Sequence, residues 1–171
     1  LKGSYPIGPG ADRRSLFFLP NGGGGAALRG LLASAWGEQA SASPVTLTAA
    51  NKIIASATIT PKLTGKLAVR ITGVVTNTDA TNGHLFTMSM SHGGAATPTD
   101  YQIPQMLCPS SGGESIASMP WGIIVEYYNL AAPVIFPVGT PVQFNAVGLG
   151  DASTLLVIQQ HGCQIEVTEQ F

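Results

Sequence analysis

Three histidines and two cysteines are the side chains of this sequence best suited to hold a metal, and their spacing keeps them apart. His84 and His92 share the parity of one predicted strand, but eight residues at about 3.3 Å each separate them by roughly 26 Å. His161-Gly162-Cys163 sets an imidazole and a thiol two positions apart, without the further ligands of a tetrahedral zinc site. No Gly-X-Ser-X-Gly elbow presents a nucleophile. The acidic residues beyond Arg70 fall singly, so no close pair of carboxylates offers acid–base cleavage of a glycan. Asn21 to Gly25 shares only its glycines with a phosphate-binding loop and lacks the Gly-Lys-Ser/Thr that completes one, so it reads as a hinge. Arg13-Arg14 falls far short of a basic patch with aromatic platforms. These residues predict no catalytic site, no metal, no cofactor and no nucleic-acid partner. Cys108 and Cys163 are expected as reduced thiols, a bridge between them being left open.

Charge is distributed more tellingly than chemistry. All eight Lys and Arg lie at or before Arg70, against Asp12 and Glu38, while the remainder carries seven acidic groups and no basic one. Only 10% of the residues are charged, where soluble domains average about 25%. A chain so short of strongly hydrated surface is expected to cover much of its exterior with other subunits.

At 171 residues the chain builds one domain and an extension. Residues 1–43 form an arm: Pro6, Pro9 and Pro20 interrupt it, Gly22 to Gly25 loosen it, and Leu16-Phe17-Phe18-Leu19 beside Arg13-Arg14 form an apolar block expected to dock on another subunit, with a fold back onto its own domain as an edge strand left open. Leu28, Leu31, Leu32, Ala35 and Trp36 have helical spacing, predicting a short helix over 26–36, with a strand through the same residues left open. Residues 44–171 change to period two. Ile53, Ala55, Ala57 and Ile59 share a face, as do Leu67, Val69, Ile71 and Gly73, and then Phe86, Met88 and Met90. Further strands are expected near Tyr101 to Ile103, Trp121 to Tyr128, Val142 to Leu149, Thr154 to Gln159 and Gln164 to Thr168. Seven or eight short strands between turn signals predict an all-β antiparallel sandwich or jelly roll. No apolar run reaches the roughly 18 residues of a membrane span, and the opening residues lack the apolar stretch of a signal peptide.

Three segments carry a resemblance: Ile59-Thr60-Pro61-Lys62-Leu63-Thr64-Gly65-Lys66-Leu67-Ala68-Val69, then Phe136-Pro137-Val138-Gly139-Thr140-Pro141-Val142-Gln143-Phe144, then Gly162-Cys163-Gln164-Ile165-Glu166-Val167-Thr168-Glu169. Over about residues 45 to 171 they resemble the small jelly-roll domains of tailed-bacteriophage virions, whose topology is similar to the tumour-necrosis-factor and C1q modules. The resemblance implies a homotrimer on a capsid exterior or fibre tip, assembled in the host cytoplasm, and no catalytic residues.

In Trp121 to Tyr128 neither parity is plainly a water face. One is expected to pack the core and the other a subunit interface, for which Trp121, Ile123, Val125 and Tyr127 are the candidates. Three readings follow. The first is a decoration or cement protein, whose arm residues Arg13, Arg14, Leu16, Phe17, Phe18 and Leu19 grip the major capsid protein. Each large apolar side chain buried there contributes about 1.5 to 3 kcal/mol. The second is a fibre tip recognising a host-surface glycan or receptor, with Tyr101 as a stacking residue. The third is a single-barrel capsid protein.

Overall fold

The computed structural model describes residues 32–94, 96, 100–112 and 117–171. Eleven strands appear among them: β1 Ser34–Glu38, β2 Val45–Thr46, β3 Lys52–Ile59, β4 Lys66–Asn77, β5 His84–His92, β6 Tyr101–Gln102, β7 Met106–Cys108, β8 Ala117–Glu126, β9 Val142–Gly150, β10 Leu156–Ile158 and β11 Cys163–Gln170. A 3₁₀ turn, Tyr127–Asn129, follows β8. Every pairing is antiparallel. One sheet runs β1-β11-β4-β10-β2, with β8 on the other side of β4; the second runs β3-β9-β5-β6, with β7 also on β5. The two face each other as a β-sandwich of jelly-roll type, the class that period-two patterning predicts.

Alternation explains which side of each strand is inside. In β4, Leu67, Val69 and Ile71 are fully buried while Arg70 is exposed, and in β11 Cys163, Ile165 and Val167 are buried between Gln164 and Glu166. Phe86, Met88 and Met90 of β5 and Phe144 and Ala146 of β9 close the core from the second sheet. In β3 a bulge between Ile53 and Ala55 shifts the register, so Ile54 is buried where the sequence expects Ile53, and Ala55, Ala57 and Ile59 keep their expected side. Gly37 marks the place where the edges β1 and β3 meet, for a Cβ there would lie 1.8 Å from the Ser56 carbonyl oxygen.

Two expectations are corrected. The described part of the expected helix is a bend at Leu32 followed by strand, because five residues of β1 pair with β11, from Ser34 opposite Thr168 to Glu38 opposite Gln164. A ladder of that length outweighs a helical pattern already weakened by Gly30 and Gly37. Trp36, on the expected buried face, is 58% exposed. For the same reason the compact unit starts at Ala33 and not at residue 44, and ends at Phe171.

Candidate functional site

Glu169 is the charged residue that the fold treats most unusually. It follows Cys163, Ile165 and Val167 on the inward side of β11, and only 2% of it is exposed. A buried carboxylate must be solvated by the protein, and the turn between β3 and β4 does this with backbone. Glu169 Oε1 accepts from the N–H groups of Leu63 (2.8 Å), Thr64 (2.6 Å) and Gly65 (3.0 Å). Its Oε2 accepts from Ala33 (3.0 Å) and Lys62 (2.9 Å). Burial pushes the carboxyl up, but donation from Ala33, Lys62, Gly65 and Leu63 outweighs it and holds the group down at about 2.

This cradle organises one end of the sandwich. Gly65 has φ +67°, a left-handed conformation, and a Cβ there would lie 1.9 Å from the Phe136 carbonyl oxygen. Phe136 N–H donates to the Gly65 carbonyl at 2.9 Å and Gly139 N–H to Pro61 at 2.8 Å, so the segment before β9 lies along the turn. Leu63, Ile135, Val138 and Phe171 are left outside at this end, each 44% to 52% exposed. The chain enters the unit here too, at Ala33, through the residue whose N–H Glu169 holds.

Behind the apolar end lies an aromatic nest. Phe136 packs edge-on against Tyr127 (centroids 5.3 Å), Phe144 (5.4 Å) and His92 (5.7 Å). Tyr127 donates its hydroxyl to Asp100 Oδ2 at 2.7 Å, and His92 Nδ1 lies 2.7 Å from Asp100 Oδ1. Burial first, and then the Asp100 carboxylate, push the Tyr127 phenol far up, so it stays a proton donor and is no base.

The opposite end is held by a different device. His84 sits between two carboxylates, Nε2 3.0 Å from Asp79 Oδ2 and Nδ1 2.7 Å from Asp151 Oδ2. The Asp79 bond raises its pKa, burial lowers it, and Asp151 raises it further. Asp79 is held down chiefly by the N–H of Thr81, then by His84 and Asn82. For Asp151 burial is opposed by bonds from Ser153 and His84, which lower it overall. Asn77 ties this end together, its Nδ2 donating at 2.9 Å to the carbonyls of both Asn82 and Pro109. The third histidine, His161, pairs at the surface with Glu38 at 2.7 Å. Among the described residues no three His, Cys, Asp or Glu side chains gather to hold a metal. Cys108 and Cys163 are free and buried, and burial pushes the Cys163 thiol up to about 12.

The residues expected from the sequence are dispersed. Arg13, Arg14, Leu16, Phe17, Phe18 and Leu19 lie outside the described residues. Trp121, Ile123, Val125 and Tyr127 are all buried inside the sandwich, so the parity expected at an interface packs the core instead. The other parity, Ser118, Pro120, Gly122, Ile124 and Glu126, faces outward, with Ile124 69% exposed. Tyr101 is 45% exposed on β6 and lines a shallow groove with Ile124, Val125, Glu126, Asn129 and Leu130. Glu169 was missed as a functional residue. Its signal was present, since a carboxylate in register with three core positions of a strand has to be satisfied somewhere.

No protein-family model matches the chain, and no curated protein matches it. Among solved structures it is similar to Eiger TNF from S. frugiperda, at a TM-score of 0.38 and 10% identity, over 82% of this chain and 93% of that one. At that score the likeness adds nothing to the fold, which rests on the two sheets themselves.

Proposed function

We propose that this chain is a non-enzymatic virion structural protein, a decoration protein that sits on the outside of a capsid as a homotrimer and stabilises the shell. One observation carries the reading: four large apolar side chains, Leu63, Ile135, Val138 and Phe171, are outward at the end where the polypeptide enters the sandwich. In a chain with 10% charged residues such an end favours contact with a larger body over contact with water. The grip on the major capsid protein would come from Arg13, Arg14 and Leu16-Phe17-Phe18-Leu19 of the arm together with this end, which the Glu169 cradle would keep rigid. The histidines support a structural role, since each is engaged by a carboxylate that fixes a loop or strand.

The receptor-binding alternative rests on the exposure of Tyr101 and ranks second. The test uses capsids prepared without this protein, incubated with the full chain or with a version lacking residues 1–25. The proposal expects saturating occupancy by the full chain and occupancy lowered at least about tenfold by the truncation. Equal occupancy would rule out the arm as the grip, and no binding by either would rule out decoration.

A further inference from the structure

The edge of β8 that no described strand pairs supports an inference about assembly separate from the apolar end. Among the described residues β8 pairs with β4 alone, in an unbroken register from Ala68 opposite Glu126 to Asn77 opposite Ala117. Which residues direct their backbone groups outward follows from one pair. Val74, opposite Pro120, donates its N–H to the Gly162 carbonyl on the far side of β4, at 2.8 Å. The Val74–Pro120 pair is therefore not hydrogen-bonded, as suits a residue without an N–H. By alternation Gly122, Ile124 and Glu126 turn their N–H and C=O groups to the open side. Ile124 and Glu126 carry their side chains on the exposed face of the sheet, and the groove lined by Tyr101 and Leu130 runs beside the same half of the strand.

We infer that this edge pairs with the β8 edge of a second copy, antiparallel about a two-fold axis through Ile124. The self-complementarity of the segment selects that occupant. Gly122 of each copy faces Glu126 of the other, and Ile124 faces Ile124. Each hydrogen-bonded pair exchanges two bonds, about six in all. The apolar side chains meet at the axis, and each Glu126 lies opposite a glycine, so no like charges are opposed. Pro120 sets the limit of the contact: its ring occupies the place of an N–H and would strike a carbonyl of any strand aligned with it. A register centred on Gly122 would bring Pro120 against Ile124 twice, which disfavours it. The contact is isologous and so adds to a three-fold one, joining one trimer to the next. It rests on the β8 geometry and not on the virion reading.

Cysteine pairing in the full chain tests both contact and register, because Cys108 and Cys163 are buried and leave the introduced thiols to react. Residues in a hydrogen-bonded pair have Cα atoms about 5.5 Å apart, within disulfide range. Under mild oxidation Ile124→Cys should form a disulfide-linked dimer. Gly122→Cys alone should not, whereas Gly122→Cys mixed with Glu126→Cys should. Absence of the Ile124→Cys dimer, or equal self-linkage of Gly122→Cys, would overturn the proposal. Ile124→Pro gives an independent arm, as it removes an N–H aimed at the partner and none aimed at β4. With the fold verified by circular dichroism, it should weaken two-fold association by about tenfold or more, and unchanged association would also overturn the proposal. Failure of capsid binding would leave both results standing, so the two readings fall separately.

Discussion

The two ends of the sandwich hold carboxylates in place, one at the arm end and two at the far end, by opposite means. At the arm end Glu169 is solvated by five backbone N–H groups, donors that never titrate. At the far end Asp79 and Asp151 are bridged by His84, whose charge depends on pH. Neutral donors make a support indifferent to its surroundings above the carboxyl's own low pKa, while an imidazolium makes one that responds to them. The outward apolar residues Leu63, Ile135, Val138 and Phe171 are found at the indifferent end.

Glu169→Ala should break the comparison most severely. Buried backbone donors left without an acceptor cost about 1 to 3 kcal/mol each before water or relaxation intervenes, so a net loss of about 3 kcal/mol or more is expected in urea denaturation. A loss below about 1 kcal/mol would show that the cradle is not what holds this end. The pH dependence carries the same claim. A carboxyl lowered from 4.5 to about 2 contributes stability present in full above 4.5 and lost as pH falls toward 2. The loss amounts to about 3 kcal/mol and should be absent in the variant.

Tyr127→Phe should cost less, about 1 to 2 kcal/mol, because it removes one hydroxyl bond to Asp100 from an otherwise intact aromatic nest. Equal stability of the variant would reduce the Asp100 contact to decoration of the core.

The far end should behave in the opposite sense to the arm end. His84 has a raised pKa, so its stabilisation is complete below the ordinary 6.5 and fades as pH rises through the raised value. Asp79 and Asp151 are lowered, so theirs is complete above the ordinary 3.8 and fades as pH falls. Amide exchange, corrected for its intrinsic pH dependence, should therefore accelerate at residues 78–84 and 150–154 above neutrality while residues 62–65 stay unchanged. His84→Gln should abolish that difference. The smallest effect belongs to His161→Asn, which removes an exposed pair with Glu38 and should change stability by less than about 1 kcal/mol.

Much of this molecule was legible as alternation. Leu67, Val69 and Ile71, and Phe86, Met88 and Met90, declared their buried sides because a strand repeats every two residues and one face must be dry. What failed had non-local causes. A bulge moved Ile53 off its face, and no local signal in Lys52-Ile53-Ile54 announces one. The β11 ladder recruited Ser34–Glu38 from across the chain, against a helical spacing. Trp121, Ile123, Val125 and Tyr127 share one parity in the sequence, but composition does not decide which face meets the second sheet. The apolar end was hidden most completely, since Leu63, Ile135, Val138 and Phe171 lie far apart in sequence and share one end only through the hydrogen bonds of the turn and of Glu169.

If the proposed role holds, these outward apolar groups are covered by neighbours. Sedimentation equilibrium of the full chain, beside a variant carrying Leu63→Ser, Ile135→Ser and Val138→Ser, measures this directly. The unaltered chain should sediment at a multiple of 17.6 kDa and bind shells, and the variant should keep its fold but lose the shell. A monodisperse 17.6 kDa species at high concentration, with shell binding untouched by the three serines, would contradict it.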